Sequence, residues 1–197
     1  RDSVASRGLG DVYKRQGGTL GTAEAAKAAP DGYTLLLTTS STHAISPHLM
    51  PKLAYDPRKD FTPVAHVADA PSVLLVTNSL PVKTVGELIA YAKAHPGKLN
   101  YATSGNGTIV HLNTAAFSAQ AGVEMTHIPY KGTASAMTDL MAGRVDFVLT
   151  TGAIPFIRSG KLRALAVASR QRLPALPDVP TFEAVSYTHL TLPTICS

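Results

Sequence analysis

Hydrophobic positions along the chain follow two periods, one typical of helices and one typical of strands. Apolar residues three or four positions apart, together with good helix formers, predict helices over residues 19–29, 84–95, 108–120, 133–142 and 154–159. Short apolar or β-branched runs predict strands over residues 33–37, 62–68, 72–77, 99–102, 125–128, 145–149 and 162–168. Strands that alternate with helices through short loops indicate βαβ units, so the expected fold class is α/β with a mostly parallel sheet.

Turn-forming residues divide this pattern into two parts. The run Asn78-Ser79-Leu80-Pro81 separates a β-rich stretch from the helix that follows, and it is the expected boundary between two lobes. Residues 17–78 would then form part of a first lobe. Residues 79–185 would form a second lobe and the start of a segment that returns to the first.

The two ends of the chain carry no such pattern. Residues 1–16 show neither a helical nor a strand period, and they lack the apolar core of a signal peptide. Residues 186–197 are uncharged and include the only cysteine, Cys196. Both segments resemble translated sequencing-adapter sequence, so we expect non-native tails around a fragment that is cut at both ends. Residues 17–185 contain no cysteine, which excludes a disulfide, a thiol nucleophile and a thiolate metal site there.

Composition narrows the class of protein further. Of 197 residues, 45% are hydrophobic and 16% are charged, and no apolar run approaches the roughly 18 residues of a membrane span. The formal net charge is +5, but the lysines and arginines are scattered and are not interleaved with aromatic residues. A coiled coil, a collagen-like chain and an integral membrane protein are excluded, and no nucleic-acid partner is expected. A mildly positive field would favour a small anionic ligand.

Three polar loops follow predicted strands, at the edge where α/β sheets bind ligands. Their candidate ligand-binding residues are Ser40, Ser41 and Thr42 in one loop, Ser104, Gly105, Asn106, Gly107 and Thr108 in a second, and Tyr130, Lys131 and Gly132 in a third. The second loop leads into a helix whose first N–H groups could face an anion. Glycine, hydroxyl and amide groups recur without a strong base beside them, which is typical of a binding site.

Each loop also has a simpler structural interpretation. Gly105-Asn106-Gly107 could form only a tight turn, Thr108 only a helix cap, and Lys131 could be an ordinary surface lysine. Val110 stands where a dinucleotide fingerprint needs its third glycine, and Ser104 does not lie in a Gly-x-Ser-x-Gly elbow. We therefore expect no catalytic residue, no metal ligand and no cofactor.

Six short motifs carry a resemblance to a known family. They are Ala29-Pro30-Asp31-Gly32-Tyr33-Thr34-Leu35, Tyr55-Asp56-Pro57 to Asp60-Phe61-Thr62-Pro63-Val64, Ala92-Lys93 to Pro96-Gly97-Lys98, Ser104-Gly105-Asn106-Gly107-Thr108 to His111-Leu112, Pro129-Tyr130-Lys131-Gly132, and Leu176-Pro177-Asp178-Val179-Pro180-Thr181. In order and spacing, over nearly all of residues 17–185, they resemble the extracytoplasmic solute-binding receptors of tripartite tricarboxylate transporters, the Bug family.

The resemblance implies a type II periplasmic-binding-protein fold, in which two α/β lobes close on a small ligand. It implies a periplasmic receptor that holds a small carboxylate through backbone N–H groups, hydroxyls and ordered waters, without a cofactor and without chemistry. The receptor would deliver this ligand to the membrane subunits of the transporter, and we expect a monomer. On this chain, residues 104–108 would form the anion loop of the second lobe with residues 130–132 beside it, and residues 40–42 would be the contribution of the first lobe.

The chain departs from the family pattern at two places. The first strand of the family and its glycine-rich loop with an aspartate, which helps to select ligands, would precede Gly17. Many members carry an acidic residue after the strand predicted at 145–149, where this chain has Thr150-Thr151, so Thr150 is the candidate contact at that position. Two other functions stay open. One is a small α/β hydrolase or transferase, for which no nucleophile–base pair is evident, and the other is a cytoplasmic effector-sensing domain of the same fold.

Overall fold

A computed structural model describes residues 18–50 and 52–185. The two segments expected to be non-native tails, and Cys196, lie outside these residues. The helices are α1 (Thr19–Ala26), a π-helical turn (Ser41–Ile45) that continues into α2 (Ser46–Leu49), α3 (Val85–Ala94), α4 (Ile109–Ala121), α5 (Thr133–Met141), α6 (Ile154–Arg158) and a 3-10 turn (Glu183–Val185). The strands are β1 (Val73–Thr77), β2 (Asn100–Thr103), β3 (Thr126–Pro129), β4 (Phe147–Thr150) and β5 (Leu162–Val167). None of the helices in the described part is long and apolar enough to span a bilayer.

The five strands form one sheet in the order β3-β2-β4-β1-β5. Strand β2 is parallel to β3 and to β4, whereas β1 is antiparallel to both of its neighbours, β4 and β5. The predicted α/β class is confirmed. The sheet is mixed, however, because β1 runs against the other strands, and the alternation of strands and helices does not reveal this.

Strand β1 belongs to the same sheet as the residues that follow the predicted lobe boundary. Residues 73–77, which the sequence assigns to the first lobe, pair with β4 and β5 in the sheet formed by residues 79–185. All five residues of β1 are buried, so the strand requires a paired neighbour on each side and a helical layer on each face. The sheet therefore begins before residues 78–81, and the division into two lobes at those residues stays a prediction.

Two apolar clusters cover the two faces of this sheet. Alternate residues of β1 point to opposite faces, as the two-residue period of a strand requires. Leu74 and Val76 join the cluster that includes residues of α3 and the carboxyl-terminal half of α4, whereas Val73 and Leu75 join the cluster that includes α5. The sheet is thus packed between helices on both sides.

Two predicted strands are not formed. Residues 33–37 and 62–68 are extended but carry no strand pairing, and they leave large side chains such as Tyr33 and Val64 in solvent. The prediction of strands there is wrong. A β-rich run becomes a strand only when a neighbour completes its backbone hydrogen bonds, and no strand among the described residues lies beside either run.

Candidate functional site

The carboxyl ends of β2, β3 and β4 meet at one edge of the sheet, because these strands are parallel to one another. The loops over residues 104–108, 130–132 and 151–153 leave from this edge. Strand β1 runs the opposite way, so its first residue, Val73, pairs with Thr150 at the same edge. The chain that precedes β1 therefore arrives beside these loops. This arrangement brings the second and third polar loops of the sequence to the position where α/β sheets bind ligands.

Threonine side chains hold the 104–108 loop at both of its ends. Thr108 is the N-cap of α4: its Oγ1 accepts a hydrogen bond from the His111 backbone N–H at 3.4 Å and donates one to the Gly105 carbonyl at 2.9 Å. At the other end, Thr103 Oγ1 lies 3.3 Å from both the nitrogen and the carbonyl oxygen of Gly105. The interpretation of Thr108 as a helix cap is confirmed, and it leaves open what the rest of the helix terminus binds.

Ser41 links residues 18–71, the amino-terminal segment, to the first turn of α4. Its Oγ accepts a hydrogen bond from the Ile109 backbone N–H at 3.1 Å, and its carbonyl accepts one from Ser46 Oγ at 2.7 Å. Gly107 has a φ of +70°, and a Cβ added there would lie 3.2 Å from Leu49 Cδ1. The left-handed backbone favours glycine at this position, and a larger residue would also press on Leu49 of α2.

The first turn of α4 still presents open donors. The backbone N–H groups of Asn106, Thr108 and Val110 form no hydrogen bond within the part of the chain that the structure describes. The Thr108 and Val110 groups carry the partial positive charge of a helix amino terminus, which amounts to roughly half an elementary charge, and the Asn106 N–H lies two residues before the cap. Together with the Ser41 hydroxyl, whose oxygen accepts from Ile109, they can hold a small anion, and a carboxylate has the right size and charge.

Two imidazoles lie next to the same loop. The ring of His127, on β3, stacks on Tyr101 at a centroid distance of 5.0 Å and on His111 at 4.2 Å. His127 Nε2 lies 2.7 Å from Thr103 Oγ1, and His111 Nδ1 accepts a hydrogen bond from the Gly107 backbone N–H at 3.2 Å. Burial, followed by the charge that His111 carries when protonated, lowers the pKa of His127 from its usual value.

The hydroxyl of Thr42 is occupied within the amino-terminal segment. Its Oγ1 donates to the Thr39 carbonyl at 3.0 Å and lies 2.6 Å from Thr38 Oγ1 and 3.2 Å from His43 Nδ1. The Thr42 carbonyl accepts a hydrogen bond from the Tyr55 hydroxyl at 2.7 Å. Burial raises the pKa of Tyr55 and lowers the pKa of His43. Thr42 therefore stabilises its own segment and has no hydroxyl proton left for a ligand.

Tyr130 is anchored on both sides. Its backbone N–H donates to the Thr103 carbonyl at 3.0 Å, and its hydroxyl donates to Asp139 Oδ2 at 2.8 Å. Arg144 Nη1 donates to the other oxygen of Asp139 at 3.0 Å. Burial and the hydrogen bond to Asp139 raise the pKa of Tyr130 to about 12, and the same hydrogen bond is the main reason that the pKa of Asp139 is lowered. Because the phenol proton is donated to Asp139, the Tyr130 hydroxyl can only accept a hydrogen bond from a ligand.

The other candidate residues differ in exposure. Ser40 and Lys131 are exposed, and Gly132 is buried directly before α5. Thr150 is buried at the end of β4, where its Oγ1 donates to the Thr151 carbonyl at 3.4 Å. The structure thus brings Ser41 together with residues 104–108, and it places Tyr130 at the base of that loop. In the described part of the chain, no contact joins residues 104–108 to Ser40, Lys131, Gly132 or Thr150.

Several residues around the loop were not identified from the sequence. Thr103 and His127 touch it through side chains from neighbouring strands, and their contact depends on the pairing of β2 with β3. Asn113, on α4, is buried and its Oδ1 has no hydrogen-bond partner among the described residues. The sequence does offer one signal, which is the presence of polar residues within otherwise apolar elements. Buried polar residues are uncommon unless they have a hydrogen-bond partner.

A broad depression lies on the amino-terminal segment and competes as a candidate site. It has a volume of about 480 Å³ and is bordered by His43, Tyr55, Asp56 and Arg58. The Asp56 carboxylate accepts hydrogen bonds from the backbone N–H groups of Arg58 and Lys59. The hydrogen bond from Arg58 is the largest cause that lowers the pKa of Asp56. A carboxylate held in its charged form opposes an anionic ligand. No group of three or more metal-ligating side chains occurs among residues 18–50 and 52–185.

Solved structures of similar proteins share this architecture. Rpa4515 of R. palustris, solved with adipate, is 40% identical with a TM-score of 0.81, over 85% of this chain and 57% of that protein. The periplasmic binding protein BugD is 33% identical with a TM-score of 0.84, over 94% of this chain and 67% of BugD. MatC of Rhodopseudomonas palustris, solved with bound malate, is 39% identical with a TM-score of 0.77, over 85% of this chain and 58% of MatC. The predicted periplasmic-binding-protein fold is confirmed.

Sequence comparison agrees with the structural comparison. The chain spans about half the length of the curated relatives it matches, for example 54% and 53% of two that are 37% and 41% identical to it. The profile of the tripartite tricarboxylate transporter family receptor, TctC, matches residues 12–195. That match contains the whole sheet and all three polar loops, and it extends beyond residues 17–185 at both ends. The resemblance inferred from the six motifs is therefore confirmed, and the chain belongs to the family of tripartite tricarboxylate transporter receptors.

Proposed function

We propose that this protein is a periplasmic receptor that captures a small carboxylate at the 104–108 loop and delivers it to the membrane subunits of a tripartite tricarboxylate transporter. The observation that carries the proposal is the set of open N–H donors at the first turn of α4, beside the Ser41 hydroxyl. The adipate in Rpa4515 and the malate in MatC support a carboxylate as the ligand.

The donors at the loop are sufficient for a useful affinity. A dissociation constant near 1 μM corresponds to about −8 kcal/mol. Hydrogen bonds to a charged group contribute roughly 1.5–3 kcal/mol each, so several of them reach that range after the cost of ordering the ligand. The backbone N–H groups of Asn106, Thr108 and Val110 are the donors we assign to the ligand carboxylate.

The receptor is proposed to bind without turnover and as a monomer. The closest hydroxyl–imidazole pair at the loop joins Thr103 to His127 at 2.7 Å, which is a distance suited to a nucleophile and its base. Thr103 has no exposed surface, however, so a substrate carbonyl could not reach its oxygen. This burial disfavours the hydrolase or transferase alternative.

Isothermal titration calorimetry against a panel of ligands tests the ligand class. We expect heat of binding from adipate, malate and related mono- and dicarboxylates, and none from neutral sugars or cationic amines. Proton NMR of the ligand during long incubation should show an unchanged spectrum. Binding of only neutral or cationic compounds, or the formation of a product, would contradict the proposal.

A matched pair of substitutions tests the location of the site. Thr84 and Thr108 are both N-caps, because Thr84 Oγ1 accepts a hydrogen bond from the Glu87 backbone N–H at 3.1 Å at the start of α3. Aspartate is about as good an N-cap as threonine, so Thr84→Asp and Thr108→Asp both keep the cap. Thr108→Asp also loses the hydrogen bond to the Gly105 carbonyl, which the amide of Thr108→Asn can still donate. We expect Thr108→Asp to weaken carboxylate binding at least a hundredfold, since like charges about 4 Å apart repel by ~4 kcal/mol near a protein surface.

Two controls complete this experiment. Thr84→Asp should bind like the wild type, and Thr108→Ser should too, because serine retains both the cap and the hydrogen bond to the Gly105 carbonyl. Thermal unfolding of all variants measures the cost to the fold. Equal binding by Thr108→Asp and Thr84→Asp would place the ligand elsewhere, even if the panel confirmed a carboxylate.

A further inference from the structure

The His111 and His127 rings connect the 104–108 loop to the sheet. They are nearly parallel, with an angle of 11° between their planes and 4.2 Å between their centroids. His111 lies one turn into α4, and His127 lies on β3, so this contact joins the helix after the loop to the strand beside it. Neither ring is needed to donate to the ligand in the proposed site, which leaves the role of the pair to be explained.

Each ring fixes a different part of the loop. His111 Nδ1 accepts the hydrogen bond from the Gly107 backbone N–H at 3.2 Å. His127 Nε2 lies 2.7 Å from Thr103 Oγ1, and that oxygen in turn contacts the backbone of Gly105. The two glycines of the loop are therefore each tied to an imidazole, one directly and one through a hydroxyl.

The hydrogen bond from Gly107 requires a lone pair on His111 Nδ1, so it forms only when that nitrogen carries no proton. The titratable groups that contact the two rings are Tyr101 and the rings themselves. No carboxylate within the described residues forms an ion pair with either ring. Two protonated rings at this distance would repel each other without a counter-charge, so the stacked arrangement disfavours the state in which both rings are protonated.

We propose that His111 and His127 are positioning residues for the ligand, and that neutral His111 holds Gly107 so that the open N–H groups of the loop converge on the carboxylate. This inference rests on the proposed function. Protonation of His111 at Nδ1 replaces an acceptor with a donor that faces the Gly107 N–H. The loop is then released, and affinity for the carboxylate falls on acidification.

The sign of this effect separates positioning from direct attraction. A protonated imidazole that acted only through its charge would attract an anionic ligand, and affinity would rise as the pH falls. If binding requires the neutral His111 ring, the apparent dissociation constant equals the intrinsic constant divided by the fraction of molecules in which that ring is neutral. Affinity should then fall by about tenfold for each pH unit once the protonated form dominates.

Two substitutions at His111 distinguish its hydrogen bond from its packing. In His111→Asn, Oδ1 lies near the former position of Nδ1 and can accept from Gly107 at any pH. In His111→Phe, the aromatic ring that stacks on His127 is retained, but the acceptor is lost. His95→Asn is the control, because His95 stacks on Tyr91 at 4.4 Å with its Nδ1 3.0 Å from the Tyr91 carbonyl, at the end of α3.

The first measurement needs no ligand. Proton–nitrogen NMR of the full chain between about pH 8 and pH 5.5 follows the Gly107 amide and the histidine rings together. We expect the Gly107 amide to shift along the same titration curve as the His111 ring in the wild type and in His95→Asn. It should be constant in His111→Asn. A Gly107 amide that does not follow the His111 ring would overturn the proposal, whatever the chain binds.

The second measurement couples the loop to binding, with adipate and malate as probes in calorimetry at the two ends of the same pH range. Wild type and His95→Asn should bind both probes more weakly at the acidic end than at pH 8. His111→Asn should keep its affinity within about threefold, and His111→Phe should bind weakly at both ends. A rise in wild-type affinity on acidification, or equal pH profiles for all four proteins, would overturn the proposal. If neither probe binds at pH 8, the proposed ligand class fails, and the amide titration still decides the role of His111.

Discussion

Every residue in the run Val73–Thr77 is buried, whereas in the run over residues 33–37 the side chains of Tyr33, Leu35 and Leu37 are 91%, 67% and 61% exposed. The two runs have nearly the same length and the same apolar character. The first pairs with a strand on each side, and the second has no strand beside it among the described residues. The comparison shows that the same local pattern produces a strand or an extended exposed segment, according to whether a neighbour is present.

The same contrast extends to the two regions that contain these runs. The sheet region comprises residues 72–185, and the amino-terminal segment comprises residues 18–71. All members of both apolar clusters lie at or after Val73. Among the described residues, the large apolar side chains that are exposed all belong to the amino-terminal segment: Leu20, Tyr33, Leu35, Leu37, Leu49, Val64 and Val67. Burial of apolar surface therefore stabilises the sheet region and contributes little to the stability of the amino-terminal segment.

The amino-terminal segment is held mainly by polar and aromatic contacts. His43 packs on Phe61 at a centroid distance of 4.9 Å, and Tyr55 meets Phe61 edge-on at 6.0 Å. The Tyr55 hydroxyl donates to Thr42, and Ser41 accepts from Ile109 in the sheet region. The segment thus contributes Ser41 to the binding site while it depends on few contacts for its own order.

Hydrogen exchange should show the largest difference between the two regions. Amides in β1 and β4 are expected to open only with global unfolding, whereas amides over residues 29–40 and 62–71 should exchange through local opening, which costs little. Protection factors should differ by about a thousandfold or more, which corresponds to ~4 kcal/mol in the free energy of opening. Mass spectrometry of pepsin fragments measures this difference.

Limited proteolysis provides an independent check of the same boundary. The resistant fragment should begin near Ser72, because β1 belongs to the sheet. A fragment that begins near Leu80 would mean that β1 is released with the amino-terminal segment. Equal protection of residues 29–40 and β1 would contradict the comparison altogether.

The sequence predicts the elements of the sheet region well because local signals define them. Thr84 followed by Glu87 predicts the start of α3, and the structure confirms it, with Thr84 Oγ1 accepting from Glu87 N–H and Glu87 Oε2 accepting from Lys83 N–H. The start of α4 after Thr108 and the end of α5 near Gly143 are predicted for similar reasons. Caps, helix formers and glycine breaks act within a few residues, so they can be read without knowing the fold.

The features that the sequence did not reveal depend on distant partners. The direction and central position of β1 follow from its pairing with residues 147–150 and 162–167, which lie 71 or more positions later. The contact of His111 with His127 likewise needs α4 to lie over β3. At the candidate site, the polar loops were therefore predictable, whereas the side chains behind them were not.

A matched pair of leucine substitutions sharpens the comparison further. Leu75 has no exposed surface, and Leu75→Ala should cost about 2–5 kcal/mol in the free energy of unfolding, because it leaves a cavity between the sheet and α5. Leu35 is 67% exposed, and Leu35→Ala should change the free energy of unfolding by about 0.5 kcal/mol or less. Urea denaturation followed by circular dichroism measures both. A cost above ~2 kcal/mol for Leu35→Ala would show that residues 33–37 are buried in solution.

The smallest effect concerns Tyr130 in the sheet region and Tyr55 in the amino-terminal segment. Burial raises the pKa of both phenols, but only Tyr130 donates to a carboxylate, and its pKa rises to about 12. Absorbance at 295 nm follows phenol ionisation. Tyr130→Phe should remove the last ionisation step, near pH 12, whereas Tyr55→Phe should remove an earlier one. A lost step near pH 10 in Tyr130→Phe would mean that its hydrogen bond to Asp139 is absent.

The direction of the stability change follows from the same pair. Because the pKa of Tyr130 is raised on folding, its contribution to stability is fully present below pH 10, the ordinary value for a phenol, and is lost as the pH rises through about 12. The hydrogen bond from Tyr130 is the main cause that lowers the pKa of Asp139. The contribution of Asp139 to stability is therefore present above pH 3.8, the ordinary pKa of the carboxyl, and is lost as the pH falls through the lowered pKa. Tyr130→Phe should therefore move the Asp139 titration, followed by carboxyl-carbon NMR, back toward 3.8, with the remaining shift due to Arg144. The Tyr55 hydroxyl donates to a backbone carbonyl, so Tyr55→Phe should leave the Asp139 titration unchanged.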